Sequence, residues 1–231
     1  MGHQSDGGMM MVDWRAIHSV FLDMDGTLLD LHFDNHFWRE HVPLRYAQRH
    51  GLSVEQAKEA LFARFRSVEG TMAWYCIDYW SGELGLDIAA LKAEVQHLIA
   101  MQPGVAAVLE ALRARGKRLV LVTNAHGKSL ALKLRRTGLQ DYLDAMVCAH
   151  DLGRPKEDPV FWQCLQDHEP YDPGRTLLVD DSLPVLRTAR RSGLAHLVAV
   201  RRPDSRQPAR EIDEFPAVDS FADLLSESNT G

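Results

Sequence analysis

The stretch "HSVFLDMDGTLLD", residues 18–30, decides how the rest of the chain is read. Val20, Phe21 and Leu22 form a short apolar run without polar alternation, the pattern of a strand buried on both faces. The run ends in Asp23, and Asp25 and Gly26 follow after one methionine. Two carboxylates this close repel, and burying them is costly unless a cation, a proton or dense hydrogen bonding compensates. If the pleat continued, both acids would point to the same face. Gly26 suits a tight turn whose backbone amides approach an anion closely.

Downstream of Pro103 the same kind of apolar run recurs in alternation with helices. "KRLVLVTNA", "DAMVCAH", "RTLLVDDS" and "AHLVAV" read as strands. Between them lie helices at 104–115, "KSLALKLRRTG", "DPVFWQCLQDH" and "PVLRTARRSG", several of them stopped by glycine. The last strand, "AHLVAV", closes the series. This rhythm predicts a Rossmann-like α/β fold with a parallel sheet covered on both faces.

Residues 31–100 break the alternation and predict an all-helical insert after the first strand. "SVEQAKEALFARFRSV" opens with a capping box, Ser53 and Gln56, and carries Ala57, Leu61 and Phe65 at helical spacing. "TMAWYCIDYW" reads as a helix, and so does "DIAALKAEVQHL", with Asp87 as its cap and Ile88, Leu91, Val95 and Leu98 on one face. The expected organisation is a core from residues 1–30 and 101–231, and a helical domain from residues 31–100.

Open α/β sheets collect function at the carboxyl ends of their strands. Those ends carry Asp23 and Asp25, then Thr123 and Asn124, then Asp180 and Asp181, while the loop "GRPKEDP" supplies Lys156. Four acids around one lysine suit Mg²⁺, which takes oxygen ligands and a substrate phosphate. Lys156 neutralises charge on a phosphoryl group, Thr123 and Asn124 donate hydrogen bonds to it, and Asp23 is placed to attack phosphorus as a carboxylate nucleophile.

These motifs, in this order, resemble the haloacid dehalogenase-like (HAD) hydrolase superfamily: "DMDGT", "VTNAH", "RPKEDP" and "LVDDS". The resemblance implies Asp23 as nucleophile and Asp25 as general acid and base. It implies Thr123 and Lys156 as phosphate binders. Asp180 and Asp23, with the Asp25 main-chain carbonyl, would hold Mg²⁺, and Asp181 would orient metal-bound water. It makes the helical insert a cap over the site. Val179 stands where the family commonly has glycine, a change a buried strand accommodates. Within the superfamily, "DMDGTLLDLHFDNHFW", "WYCIDYWSGELGLD" and "PKEDPVFW" are similar to bacterial 5′-nucleotidases acting on GMP and IMP. A purine mononucleotide is therefore the expected substrate. A sugar-phosphate phosphatase or phosphomutase is the alternative, and a phospho-acceptor signalling domain the non-enzymatic one. The order of the acids disfavours a signalling domain, and the acid at position 25 disfavours dehalogenation.

Asp34 and Asn35, soon after the first motif, are candidates for hydrogen-bonding a base or ribose, with helix capping as the competing role. Trp74, Tyr75, Tyr79 and Trp80 offer either a stacking surface or core. Lys58 and Lys92 fall on faces that read as solvated, which argues against a Schiff-base lysine in the insert. His32, His36, His41 and His126 form no zinc spacing and read as polar surface or support.

The 231 residues are 45% apolar and 25% charged, with net charge −6 and an isoelectric point near 6.0. That balance predicts no nucleic-acid polymer and no membrane surface as partner; the partner the resemblance implies is a small phosphate monoester. Cys76, Cys148 and Cys164 have neither disulfide nor zinc spacing, which suits a reducing, cytoplasmic setting; a monomer or homodimer is expected. The N-terminal "MGHQSDGGMMMVDW" lacks a signal peptide's basic start and apolar core and reads as a flexible lead-in, and "SESNTG" as a frayed end.

Overall fold

The computed structural model describes residues 12–225, so most of the lead-in and all of "SESNTG" lie outside it. Strand β1 (Ser19–Leu22) sits inside a parallel sheet, flanked by β2 (Arg118–Thr123) and β4 (Thr176–Asp180). Beyond β2 lies β3 (Ala145–Cys148), and beyond β4 lies β5 (His196–Val200). The sheet has one more edge strand than the sequence reading gave. A two-residue strand, β6 (Ala217–Val218), pairs parallel with β5, so the order is β3-β2-β1-β4-β5-β6. Two residues are too few to show periodicity, so only the tertiary pairing reveals them.

The sheet buries both faces. Val20, Leu22, Leu119, Leu121, Leu177 and Val179 face one apolar cluster. Phe21, Val120, Val122 and Leu178, one residue out of phase, face the other. Helix α7 (Val105–Ala114) and helix α8 (Gly127–Thr137) pack on the first side. On the second side lie helix α10 (Pro159–His168) and helix α11 (Leu183–Arg191).

Between β1 and β2 the chain leaves and re-enters the sheet region side by side. Leu29 bridges Met101, and the Asp30 and Gln102 amides donate to Ala100 and Leu28 at 2.9 Å each. The segment so enclosed is helical. Helix α1 (His32–His36) runs through a π-helical turn at Phe37–His41 into α2 (Val42–His50). Helix α3 (Val54–Ser67) has the expected capping box, with the Gln56 amide donating to Ser53 Oγ at 3.2 Å. "TMAWYCIDYW" is not one helix: α4 (Met72–Tyr75) and α5 (Ile77–Leu84) are separated by Cys76, an extended residue at φ −85° and ψ 111°. The Cys76 sulfur then caps α5 by accepting from the Tyr79 amide. Helix α6 (Ile88–Glu94) starts at its Asp87 cap as expected. Buried Phe33, Phe37, Leu61 and Trp80 join this segment to the same apolar cluster as the first sheet face. Among the described residues no helix is long and apolar enough to cross a membrane.

Candidate active site

The parallel register aligns the strand ends. Leu22 pairs with Leu121 on one side and Val179 on the other. The Asp23 amide still donates to the Val179 carbonyl, at 3.0 Å, so Asp23 stands level with Asp180 and one residue short of Thr123. Lys156 arrives from the loop that precedes α10, and three contacts fix that loop. Its amide donates to Asn124 Oδ1 at 2.9 Å, its carbonyl accepts from the Trp162 indole at 2.9 Å, and Asn124 Nδ2 donates to Glu157 at 2.9 Å.

The buried Lys156 ammonium uses all three of its donors: Asp23 Oδ1 at 2.6 Å, Asp180 Oδ2 at 2.7 Å and the Val122 carbonyl at 3.0 Å. Asp180 Oδ1 accepts from the Ser182 amide. Asp23 Oδ2 is buried and has no partner, an expensive arrangement for a carboxylate oxygen. The carboxylates of Asp23, Asp180 and Asp181 converge, with one oxygen from each within 4.8 Å of the others. Burial pushes Asp23 up to about 6, against the pull of Lys156. Asp181 is held well above the carboxylate range by burial and by its neighbours Asp23 and Asp180. Three oxygen donors with a shortage of positive charge are the donor set a hard divalent cation takes, so the residues present fit Mg²⁺.

Gly26 closes the turn that brings these groups together. Its φ is +92°, and a Cβ there would meet the Asp181 carboxyl carbon at 2.8 Å and Pro203 at 2.9 Å. Only glycine combines that conformation with that approach.

The Asp25 carboxylate does not share the pleat face of Asp23. The strand ends at Leu22, so alternation no longer governs where position 25 points. Its Oδ1 accepts from the Lys133 ammonium of α8 at 2.6 Å, and Asp25 is not among the three converging carboxylates. The Asp25 side chain is thus tied to Lys133 and is not one of the three groups that converge on the candidate cation position. Burial raises its carboxyl to about 6, with Lys133 opposing and Asp34 adding to the rise.

Lys133 also donates to Asp34 Oδ2 at 2.6 Å, and Lys92 of α6 donates to Asp34 Oδ1 at 2.7 Å. A buried relay, Asp25–Lys133–Asp34–Lys92, thus runs from the strand end into the helical segment. Burial would raise the Asp34 carboxyl, but the two ammonium groups outweigh it and hold Asp34 far below the carboxylate range. The Lys92 ammonium lies 4.6 Å from the Phe37 ring centre and 4.9 Å from that of Phe33, close enough for cation–π attraction.

This corrects the reading of Lys92 as solvated: it is 3% exposed. Lys133 was not singled out from the sequence at all. Both carried a legible signal. Lys92 is four residues from buried Ile88, and Lys133 is four from buried Ser129 and next to buried Leu132, so helical spacing turns each inward.

The other candidates divide. Thr123 is buried, and its hydroxyl oxygen accepts from the Ala125 amide at 3.0 Å. Asn124 spends its side chain on the Lys156 loop. Asn35 donates to buried Asp204 at 2.7 Å, and Asp34 is taken by the two lysines. Tyr75 donates its hydroxyl to Glu157 at 2.6 Å, tying α4 to the same loop. Trp80 is core, 2% exposed and edge-on to Phe65. Trp74 is half-buried and lines a cavity of about 770 Å³ that opens above Asp23, Thr123 and Lys156. Trp38, Phe62 and Phe65 line the same cavity, and Arg39, Arg66 and Glu69 contribute charged groups to it.

The chain matches the haloacid dehalogenase-like hydrolases over residues 17–193. It is 38% identical to the GMP/IMP nucleotidase YrfG of Escherichia coli (strain K12), across 93% of this chain and 96% of that protein. A phosphoglycolate phosphatase of Nitrosospira multiformis is 30% identical across 86% of this chain and 88% of its own. Among solved structures, a HAD phosphatase from Thermococcus onnurineus superposes with a TM-score of 0.75, covering 90% of this chain and 96% of that one at 23% identity. That last likeness concerns the fold.

Proposed function

The chain belongs to the haloacid dehalogenase-like hydrolases, and on that premise we propose that it hydrolyses purine nucleoside 5′-monophosphates, GMP and IMP foremost. The observation that carries this reading is the aromatic-walled cavity of about 770 Å³ directly above Asp23 and Lys156. That volume lies in the range that encloses a drug-sized ligand and far exceeds the needs of a two-carbon acid such as phosphoglycolate. Trp38, Phe62 and Trp74 offer apolar faces for a purine. Arg39 and Arg66 offer donors of the kind that pair with a 6-oxo group. The relation to a GMP/IMP nucleotidase over nearly the whole chain supports the same choice.

In this reading Asp23 attacks phosphorus and the ester oxygen departs with a proton from Asp25, leaving phospho-Asp23 and a nucleoside. Asp25, now a carboxylate, takes a proton from the incoming water that hydrolyses phospho-Asp23, so inorganic phosphate leaves and both acids are restored. A carboxyl near 6 is suited to working both ways at neutral pH. Lys133 fixes where that carboxyl points. Thr123 and Lys156 hold the phosphoryl oxygens, and Asn124 acts indirectly by seating the Lys156 loop. Mg²⁺ held by Asp23, Asp180 and the Asp25 carbonyl, with Asp181 beside it, would supply the positive charge that offsets the phosphoryl group. Residues 31–100 act as the cap that excludes water and reads the nucleoside. Three free cysteines support a cytoplasmic setting.

Phosphate release from GMP, IMP, AMP, UMP, hexose phosphates and phosphoglycolate, with Mg²⁺ and with EDTA, tests the proposal. Metal-dependent release led by GMP and IMP is expected. A sugar phosphate or phosphoglycolate at the head of the series would discard the nucleotide reading while keeping the chemistry. Release that EDTA leaves untouched would remove the cation from it.

A further inference from the structure

Three residues with no zinc spacing in the sequence meet in space. Cys76 comes from the break between α4 and α5, His126 from the turn after β2, and His150 from α9 (Ala149–Leu152), which follows β3. One ligand atom from each lies within 4.8 Å of the others. The two imidazoles stand edge-on with ring centres 4.9 Å apart. His150 Nε2 is buried and has no hydrogen-bond partner, a loss that neutral packing does not repay.

The surroundings are those of a metal-thiolate site. The Tyr79 amide points at the Cys76 sulfur at 3.4 Å, an outer-sphere donor of the type that steadies a bound thiolate. His126 Nδ1 accepts only a long bond, 3.2 Å, from the Lys128 amide. Its Nε2 lies 3.7 Å from the Asp78 carboxylate. In a tetrahedral zinc site, bond lengths of about 2.0–2.3 Å place ligand atoms roughly 3.3–3.8 Å apart, so a small inward movement closes this cluster. One sulfur and two imidazoles select zinc over magnesium, which prefers oxygen.

We propose that Cys76, His126 and His150 form a zinc-binding site, separate from the carboxylate site, that fastens the helical insert to the core. Cys76 lies next to Tyr75, which binds the Lys156 loop, and His126 reaches the edge of the large cavity. Zinc held here joins the insert to two core loops and so favours the closed arrangement over one in which the insert has swung away.

The test uses the full chain, stripped of metal and supplied with excess Mg²⁺ to fill the oxygen site, then titrated with Co²⁺. A thiolate-to-cobalt charge-transfer band is expected, and one equivalent of zinc should displace it. Cys76→Ser should abolish the band while preserving the fold, because serine is itself a good helix cap and can accept from the Tyr79 amide. Cys164→Ser should keep it. His150→Gln should weaken zinc by more than the ~10–100-fold that loss of an outer-sphere partner costs. Zinc should also slow amide exchange at residues 72–79 in the wild type and not in Cys76→Ser. No band, or a band indifferent to Cys76→Ser, would overturn the site, and unchanged exchange would overturn the fastening.

Discussion

Replacing Lys133 with methionine isolates the contribution of the buried relay. Its ammonium is 2.6 Å from both Asp25 and Asp34, and the lysine side chain is 2% exposed. Removing one partner of a buried pair typically costs about 3–5 kcal/mol, because a charge is left without compensation. Here Asp34 keeps Lys92 and Asp25 can take up a proton, so the low end applies, about 3 kcal/mol. For a chain of this size that lowers the melting temperature by roughly 6–12 °C. The second consequence is kinetic. With Lys133 present Asp25 already titrates near 6, and losing the cation drives its carboxyl higher still. Asp25, the acid of the phosphorylation step, then keeps its proton to higher pH, so the basic limb of kcat/KM for GMP should move upward. A melting temperature within a degree of wild type together with an unmoved basic limb would refute both the relay and the role given to Lys133.

Two other outcomes follow from the same geometry. Asp25→Asn should slow GMP hydrolysis far more than hydrolysis of an aryl phosphate, whose leaving group scarcely needs a proton; equal losses in a side-by-side rate comparison would count against Asp25 as the acid. In metal-free protein the clustered acids should contribute stability that grows as pH falls from about 7 towards 4. Asp23, Asp25 and Asp181 have raised carboxyls, so across that window these three acids bind more protons in the folded state than in the unfolded one, while His36, His126 and His150, lowered by burial, act in the opposite direction. Mg²⁺ should flatten this trend by supplying the missing charge. Urea unfolding across that pH range, with Mg²⁺ and with EDTA, reads both slopes, and a slope that neither Mg²⁺ nor Asp181→Asn changes would show that the acids are not buried together.

The sequence by itself determined the parallel sheet, the helical character of residues 31–100 and the strand ends that carry Asp23, Thr123, Lys156 and Asp180. Those features are written in local terms: apolar runs such as "LVLV", caps such as Ser53 and Asp87, and one glycine that a turn requires. Tertiary structure decided where the charges go. Asp25 and Asp34 look like free carboxylates in the chain, yet each meets a lysine about 60–110 residues away. The sequence marks Lys92 and Lys133 only as helical lysines, and burial among Phe33, Phe37 and two acids makes them part of the site. Cys76, His126 and His150 lack any common spacing because they come from three separate segments. A residue's type fixes which chemistry it can perform. Its partners, and therefore its charge and direction, depend on contacts between distant segments that no local pattern encodes.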